Sequence, residues 1–382
     1  MLRIGIVAAE PSGDQLAALL IKAIREIQPE TEFEGIAGDK MQALGCHSRF
    51  PMEKLSVMGL IEVLKHLPEL LGIRKSLVQY WQQNPPDLFI GVDAPDFNLG
   101  LELRLKNSGI PTVQYVSPTV WAWRQGRVKK IRRATNLVLS IFPFEVPFLA
   151  RFNVKAVYAG HPLVQKMAAL PGRTEARQQL NLDSDARVLA ILPGSRLSEI
   201  DSLMDDFLQT AVLLKARLTD LKIVMPAATA KINQIIQIHL GRYPDLTVNL
   251  LDKQSDVALA AADAVLVASG TASLETLLHR KPMVVAYKLH WLSYFLLFKL
   301  KVVKTRFISM PNIIAGREIV PELYQENCKP DLLAARLADY FDHPEQLESL
   351  NQDYEQVINE LSGGDIQQAA TAVLKLVEQH QP

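Results

Sequence analysis

The chain has 382 residues, of which 48% are hydrophobic, so it is long enough for two domains with buried cores and too apolar to be disordered. Lysine plus arginine and aspartate plus glutamate number 41 each, so the net charge gives no bulk attraction to nucleic acid or to a membrane. Two cysteines exclude a disulfide framework, and eight histidines without metal-ligand spacing predict no metal; we expect no cofactor.

The first residues of the chain predict a strand of the fold rather than a secretion signal. Residues 1–14 contain apolar side chains but no long apolar region with a cleavage site, and Gly13 and Asp14 interrupt the pattern. No uninterrupted apolar run reaches the roughly 20 residues that a membrane-spanning helix needs. These features predict a cytoplasmic protein.

Strand-like and helix-like patterns then alternate along the chain. The first series of predicted strands is Ile4–Ala8, Phe33–Ala37, Leu88–Val92, Thr112–Val116, Leu137–Ile141 and Ala156–Tyr158. The second series is Arg187–Leu192, Lys222–Met225, Thr247–Leu250, Ala264–Val267 and Met283–Tyr287. Buried strands separated by helices predict parallel sheets covered on both faces. We therefore predict an α/β protein with two doubly wound Rossmann-like domains, residues 1–165 and 172–345, a cleft between them, and a helical C-terminal stretch over 346–382.

Residues 10–14, with the sequence EPSGD, follow the first predicted strand. One glycine instead of three argues against a dinucleotide pyrophosphate site. Ser12 can cap the following helix. Glu10 and Asp14 place carboxylates at the strand end, where they suit sugar hydroxyls better than phosphate.

A second acidic group lies at the end of the predicted strand Leu88–Val92. Pro95 opens the next helix, and Asp96 is best interpreted as its capping residue. Asp93 precedes that turn and is predicted to face the cleft. A carboxylate at this place is a candidate base for deprotonating an incoming hydroxyl.

A basic segment and two apolar stretches suggest a lipid partner. Residues 121–133 carry two tryptophans and six lysines or arginines, which is typical of a solvated helix face. Alternatively, this basic segment binds nucleic acid or the anionic headgroup of a lipid. The neutral net charge of the chain favours the lipid headgroup. Leu55–Ile73 and Trp291–Val303 are more apolar than one buried face requires. Packing in the protein core explains part of this apolar character. A surface that contacts a bilayer or holds acyl chains explains the remaining apolar residues. The candidate residues for that surface are Val57, Met58, Leu60, Leu64, Leu67, Trp291, Phe295 and Phe298.

Two strand-to-helix turns in the second half of the chain predict a phosphate site. They are LPGSR at 192–196 and ASGTASLE at 268–275. A helix that begins at such a turn directs unpaired N–H groups and the positive end of its dipole at the strand end. Arg196 adds a bidentate phosphate donor, and Glu275 can accept from ribose hydroxyls. A site for a nucleoside diphosphate follows, with the candidate residues Ser195, Arg196, Ser269, Gly270, Thr271 and Glu275.

Together these motifs resemble the lipid-A-disaccharide synthases, bacterial glycosyltransferases of the GT-B architecture. The matching segments, in the family's order from residue 10 to residue 318, are EPSGD, GVDAPDFN, YVSPTVWAWR, GHP, LPGSR, ASGTASLE and MPNIIAGRE. The resemblance implies transfer of 2,3-diacylglucosamine from UDP-2,3-diacylglucosamine to 2,3-diacylglucosamine 1-phosphate. It also implies inversion at the anomeric centre and no metal requirement.

The resemblance also implies roles for single residues. Asp93 corresponds to the general base, Arg196, Glu275 and Asn312 correspond to nucleotide-side positions, and Glu10 and Ser12 correspond to the acceptor side of the cleft. Arg124, from the basic segment, is a further candidate for the acceptor side. The implied protein is a homodimer bound peripherally to the inner face of the inner membrane. Its helices over 346–382 pack back on the first domain and can be exchanged between subunits.

Other functions remain open on the residues alone. A transferase or epimerase of the same architecture that uses UDP-GlcNAc would keep the nucleotide site without the acyl surface. A nicotinamide dehydrogenase would need the glycine fingerprint that the chain lacks. A non-catalytic lipid- or nucleic-acid-binding protein would release no UDP, and we expect no nucleic-acid partner.

Overall fold

Two parallel sheets form the cores of the protein. The computed structural model describes residues 1–55, 60–122, 125–289 and 305–380. The chain divides into two units: Met1–Pro162 together with Leu361–Pro382, and Leu163–Glu360. This is the α/β architecture that the alternating pattern predicts.

The first unit contains a sheet of seven parallel strands in the order β3-β2-β1-β4-β5-β6-β7. Its strands are β1 Arg3–Ala8, β2 Glu32–Ile36, β3 His47–Ser48, β4 Leu88–Val92, β5 Thr112–Tyr115, β6 Leu137–Ser140 and β7 Ala156–Tyr158. Its helices are α1 Pro11–Ile27, α2 Asp39–Gln42, α3 Leu60–Gln83, α4 Pro95–Asn107, α5 Val128–Ala134 and α6 Glu145–Ala150. The central strands β1 and β4 are almost entirely buried, because helices cover both faces of the sheet.

The second unit contains six parallel strands in the order β10-β9-β8-β11-β12-β13. They are β8 Val188–Leu192, β9 Lys222–Ala227, β10 Asn249–Asp252, β11 Ala264–Ala268, β12 Met283–Tyr287 and β13 Glu322–Tyr324. Its helices are α8 Arg173–Gln179, α9 Leu197–Arg217, α10 Ala230–Leu240, α11 Ser255–Ala261, α12 Thr271–Leu278, α13 Met310–Ala315 and α14 Pro330–Asp342. The short edge strands β3 and β13 escape prediction, because two or three residues form no recognisable apolar run.

Two helices carry the chain across the boundary between the units, α7 Pro162–Gln165 and α15 Gln346–Ser362. The return to the first unit begins at Leu361 and not at residue 346, where we expected it. Within the second unit, the Tyr354 hydroxyl of α15 donates to the Lys281 carbonyl at 3.1 Å, and Arg317 pairs with Asp353 at 2.5 Å. These contacts hold most of α15 on the second unit.

The last helix, α16 Ile366–Glu378, packs against α1 of the first unit. Ala369, Ala370 and Val373 are fully buried there. The Tyr158 hydroxyl donates to the Leu361 carbonyl at 2.6 Å, which anchors the returning chain beside β7. The C-terminal helix is therefore part of the first unit's core.

In both sheets the strand order reverses at the centre, between β1 and β4 and between β8 and β11. Loops after the two strands at such a point turn to opposite faces and leave a crevice outside their carboxyl ends, which is where open α/β sheets bind ligands. The candidate residues after β1, β4, β8 and β11 all follow strands at these two points.

Helix α3 is only partly buried. Ile73, Leu77 and Trp81 face the core, whereas Leu67 and Leu71 are 40% and 44% exposed. Val57, Met58, Trp291, Phe295, Phe298 and the side chains of Leu60 and Leu64 lie outside the described part of the structure. Among the described helices, none combines the length and the apolar character that crossing a membrane requires.

Candidate active site

A cavity of about 430 Å³ lies at the carboxyl ends of β8, β9 and β11 in the second unit. Its walls come from two strand-to-helix turns, the end of β9 and the loop after β10. The candidate residues that line it are Ser195, Arg196, Ser269, Gly270, Thr271 and Glu275. The structure thus brings together six of the seven residues predicted for the nucleotide side.

The turn between β8 and α9 differs from the predicted phosphate site, because an internal carboxylate already occupies it. Glu199 accepts hydrogen bonds from the backbone N–H groups of Ser195 at 3.0 Å and Arg196 at 3.2 Å. Gly194 has φ +110°, and a Cβ there would lie 2.5 Å from a Glu199 carboxylate oxygen, so glycine is needed at this position. The helix α9 is capped by its own glutamate, and its backbone offers little to a phosphate.

Arg196 nevertheless remains available to the cavity. Its guanidinium pairs with Glu199 at 2.9 Å, but its side chain is 78% exposed while that of Glu199 is 14% exposed. An exposed pair of this kind contributes at most about 1 kcal/mol, so a phosphate can compete for the arginine.

The turn between β11 and α12 has the opposite character. Gly270 is the N-terminal capping position of α12, and no side chain caps this helix in the described structure. The first N–H groups of a helix have no partner within it, so those of α12 are directed into the cavity. The Ser269 hydroxyl donates to the Ile308 carbonyl at 2.7 Å, which ties the turn to the segment after residue 305.

Glu275 lies one turn inside α12 and lines the same cavity. Burial raises the pKa of this carboxyl, the nearby Asp256 raises it further, and Lys166 opposes both. When ionised, its oxygens can only accept hydrogen bonds, which suits hydroxyl groups and not phosphate.

Asn312, which the resemblance assigns to the nucleotide side, is not among the residues that line this cavity. It is fully buried, and its amide group makes four hydrogen bonds within the protein. The Asn312 oxygen accepts from the N–H groups of Ile319 at 2.7 Å and Val320 at 3.0 Å. Its nitrogen donates to the Val320 carbonyl at 2.9 Å and to Glu322 at 2.8 Å. With its hydrogen bonds used in this way, the side chain has a structural function.

Glu322 is the centre of that structural network. It accepts from the N–H groups of Ile308 and Ser309, both at 2.9 Å, and from the Ser309 hydroxyl at 2.6 Å. Because Ile308 in turn bonds Ser269, the network of Asn312 and Glu322 holds the wall beside the α12 turn.

Sequence analysis missed Lys253 and Ser255, which also line the cavity. They follow β10, and Lys253 has φ +54°, a left-handed conformation that is uncommon for lysine. The signal that could have indicated them is a cation and a hydroxyl directly after a predicted strand. Lys253 adds a second positive charge to the cavity.

In the first unit, the candidate residues Glu10 and Asp93 lie at one edge of the sheet. Ala8 of β1 pairs with Val92 of β4, so the residues that follow these two strands are neighbours. Glu10 is the N-terminal capping position of α1, and Ser12 is an exposed residue of its first turn and not its cap. Arg124 lies outside the described residues.

Asp14, predicted to face sugar hydroxyls, has a structural role instead. It is buried, and its carboxylate accepts from the N–H groups of Lys40 at 2.9 Å and Met41 at 3.1 Å. It therefore holds the start of α2.

Asp93 occupies a strained turn between β4 and α4. Both Asp93 and Ala94 have positive φ, +52° and +39°, although neither is glycine. Such backbone strain clusters at functional sites. Burial raises the pKa of the half-buried Asp93 carboxyl, and a hydrogen bond from the Ala94 backbone opposes this. A carboxylate with a raised pKa is better matched to accept a proton near neutral pH.

Asp96 is not the cap that the sequence suggested. Ala94 is the N-terminal capping position of α4, and Asp96 pairs with Arg127 from the basic segment while its side chain stays 83% exposed. Asp93 is therefore the more enclosed of the two carboxylates.

Among the described residues, no group of three or more histidine, cysteine, aspartate or glutamate side chains could hold a metal ion.

Comparison with solved structures identifies the class of fold. A UDP co-structure of MnaA from S. aureus covers 100% of this chain and 98% of its own, with a TM-score of 0.64 and 15% identity. MurG from Acinetobacter baumannii covers 98% of this chain and 100% of its own, with a TM-score of 0.57 and 16% identity. These likenesses show the fold alone, and that fold is the GT-B architecture with two doubly wound units.

Sequence comparison identifies the family within that class. The family model for lipid-A-disaccharide synthetase matches residues 4–377. The lipid-A-disaccharide synthase of Pectobacterium carotovorum is 47% identical over 378 residues, which are 99% of this chain and 98% of that protein. That of Pseudoalteromonas translucida is 48% identical over 377 residues, 98% of this chain and 97% of that protein. The chain belongs to the lipid-A-disaccharide synthetase family and is a UDP-sugar-dependent glycosyltransferase that forms the lipid A disaccharide.

The structural role of Asn312 can be tested by its removal. Asn312→Ala removes the acceptor of the half-buried Ile319 N–H and of the buried Val320 N–H, and a buried group left without a partner costs about 1–3 kcal/mol. We expect a lower midpoint of denaturant unfolding than in the wild type, while Asn249→Ala, at an exposed position of β10, stays close to it. Unchanged stability with lost UDP affinity would instead assign Asn312 to the ligand.

Proposed function

We propose that the enzyme transfers 2,3-diacylglucosamine from UDP-2,3-diacylglucosamine to 2,3-diacylglucosamine 1-phosphate, with Asp93 as the general base. The observation that carries this proposal is the strained, partly desolvated Asp93 at the end of β4, in a motif that matches the family. The two sugars, the membrane and the dimer are part of the proposal.

The donor's diphosphate binds at the N-terminus of α12. The N–H groups of Gly270 and Thr271 and the Arg196 guanidinium donate to it, and Arg196 leaves Glu199 to do so; the Ser269 N–H already donates to the Ala286 carbonyl at 2.9 Å. The capped α9 supports this choice, because Glu199 already uses the N–H groups that a phosphate would need. Bond breaking places negative charge on the leaving diphosphate, which these donors stabilise. Glu275 accepts from the ribose hydroxyls.

On the acceptor side, Asp93 takes the proton from the 6-hydroxyl as that oxygen attacks the anomeric carbon from the face opposite UDP. One displacement inverts the anomeric centre. Glu10 and Ser12 line the acceptor's path, since Glu10 follows the strand next to that of Asp93. The basic segment Arg124–Arg133 holds the acceptor's phosphate.

The enzyme works as a peripheral protein at the inner face of the inner membrane. Leu67 and Leu71 are one turn apart on α3 and both exposed, so they present an apolar strip to the surroundings. We further propose a homodimer in which the C-terminal helices are exchanged. The fit of α16 against α1 supports this, because an identical helix from a second copy would find the same contacts.

A UDP-release assay tests the proposed substrates directly. Diacylated donor and acceptor together should give UDP at a rate that unacylated UDP-GlcNAc does not support. Release from unacylated UDP-GlcNAc at the same rate would favour another activity of the same architecture.

Replacement of Asp93 tests the base. Asp93→Asn should lower kcat about 10²–10⁴-fold, the usual contribution of a general base, and leave UDP affinity unchanged. Asp96→Asn is the matched control, since Asp96 is exposed and paired with Arg127. Because the pKa of Asp93 is raised, the wild-type rate should fall with decreasing pH at values above the ordinary aspartate range. A loss of less than tenfold in folded Asp93→Asn would place the base elsewhere.

Replacement of Arg196 tests the diphosphate site. Arg196→Ala should weaken UDP binding by about 1.5–3 kcal/mol, the worth of a hydrogen bond to a charged group, measured by calorimetry. Arg196→Lys should restore part of the affinity, because the ammonium lacks the planar fork. Arg217→Ala, at the other end of α9, is the control. Equal affinity of Arg196→Ala and the wild type would contradict the assignment.

The apolar strip of α3 makes a prediction for membrane binding. Each exposed leucine that enters the interface contributes up to about 1.5–3 kcal/mol, so a Leu67→Ser and Leu71→Ser double variant should shift from vesicles to the supernatant on sedimentation. The double variant should keep its thermal stability. Leu77 is buried in the same helix, so Leu77→Ser should lower the free energy of unfolding by several kcal/mol. Vesicle binding at wild-type strength would locate the membrane contact elsewhere.

A further inference from the structure

Two buried amide side chains hold the peptide of Asp93. Asn98 and Gln114 are fully buried, and their nitrogens donate to the Asp93 carbonyl at 2.9 Å and 3.1 Å. We call Asn98 and Gln114 the amide clamp. A strained backbone conformation is costly, so the turn at Asp93 and Ala94 persists only because such contacts fix it.

The clamp also controls the neighbouring strand end. Gln114 donates to the carbonyls of Tyr115 and Val116, both at 3.2 Å, and Val116 has φ +73°. Asn98 donates to the Val92 carbonyl at 3.2 Å. The nitrogens of both amides are thus fully used on the backbone at the ends of β4 and β5.

The Asn98 side chain lies beside a carboxyl group that the mechanism does not use, since both approach Gly91. Glu102 of α4 is fully buried, and its two oxygens, together with Asn98 Oδ1 and Gln114 Oε1, have no hydrogen-bond donor in the described structure. Gly91 makes the room: a Cβ there would lie 2.3 Å from a Glu102 oxygen and 2.8 Å from the Asn98 Cβ. Gly91 pairs with Gln114 across β4 and β5.

Four buried acceptors without a donor are costly unless one of them carries a proton. Burial raises the pKa of Glu102 well above the ordinary value, and Lys130 and Lys106, the charged groups that face it, oppose this only in part. Lys106 is itself bonded to the Thr135 carbonyl at 2.5 Å and supplies Glu102 with no hydrogen bond. A neutral Glu102 has one O–H donor, which can serve the neighbouring Asn98 oxygen.

We propose that Glu102 is a positioning residue for catalysis: its protonated carboxyl donates its one O–H to the Asn98 amide oxygen and keeps the Asn98 nitrogen directed at the Asp93 carbonyl. An ionised Glu102 accepts only, so the Asn98 amide turns its nitrogen towards it and the clamp releases the strained turn. This inference rests on the proposed role of Asp93 as the base.

The proposal gives a definite pH dependence. An acid with a raised pKa is neutral at lower pH and ionises as the pH rises through that value, so the clamp opens above it. Wild-type kcat should therefore fall on the alkaline side of its optimum, as Glu102 ionises. Glu102→Gln cannot ionise, and its amide nitrogen can still donate to the clamp.

Three variants test the inference on the full-length enzyme. Glu102→Gln should keep kcat within about threefold at neutral pH and lose the alkaline fall. Glu102→Met has similar bulk but no donor, and it should lower kcat by about tenfold or more, since small displacements of a catalytic group have such effects. UDP affinity should be unchanged in both, which shows that the second unit remains folded.

A purely structural role for Glu102 would alter stability in Glu102→Met without moving the pH profile of Glu102→Gln. The proposal is overturned if Glu102→Met is as active as Glu102→Gln, or if the alkaline fall is the same in wild type and Glu102→Gln. A wild type whose kcat stays level until it unfolds in alkali overturns it as well. If Glu102→Met does not fold, the profile of Glu102→Gln decides alone.

Asp93→Asn separates this inference from the one on which it rests. If Asp93→Asn loses turnover while Glu102→Met is fully active, only the positioning role fails. If Asp93→Asn keeps turnover, the base is wrongly assigned, whatever the Glu102 variants do.

Discussion

Parallel strand pairing is the constraint on which the rest of this structure depends. In a parallel sheet all carboxyl ends meet at one edge, so residues far apart in sequence are placed side by side. In the first unit this puts Glu10 beside Asp93, and in the second it puts Arg196 beside Ser269. Parallel pairing thus gathers polar groups at the carboxyl edge of each sheet, although the strands themselves are apolar and buried.

The same geometry creates a competition at helix N-termini, because every strand-to-helix turn offers unpaired N–H groups to the nearest anion. At α9 the nearest anion is internal, since Glu199 lies three residues into the helix and folds back on the turn. At α12 no side chain of the described structure caps the turn, and the site stays open to a ligand. Two turns that look alike in sequence thus differ in structure: the turn that carries Arg196 is capped internally, and the turn before α12 is left uncapped, which is why we propose that the phosphate binds there.

Buried polar networks determine the shape of both candidate sites. Glu322 and Asn312 fix the wall beside the α12 turn, with their hydrogen bonds directed at the backbone. The amide clamp of Asn98 and Gln114 fixes the turn of Asp93 in the same way. Groups of this kind are costly to bury and specific in geometry, so they locate the reacting groups more closely than apolar packing can. In the first unit the network also carries an uncompensated acid, which makes its geometry sensitive to protonation.

The sequence by itself determined the fold class, the two sheets and the turns that carry the candidate residues, because apolar periodicity and strand-end motifs are local in the chain. It did not determine that Glu199 caps α9, that the Asn312 side chain is hydrogen-bonded to the segment 319–322, or that Asp14 accepts hydrogen bonds from the start of α2. Nor could it find Glu102, which reads in the chain as an ordinary polar helical residue. Whether a polar side chain is open to a ligand depends on which partners the folded chain brings within 3 Å of it. Those partners come from other elements, so only the tertiary structure decides.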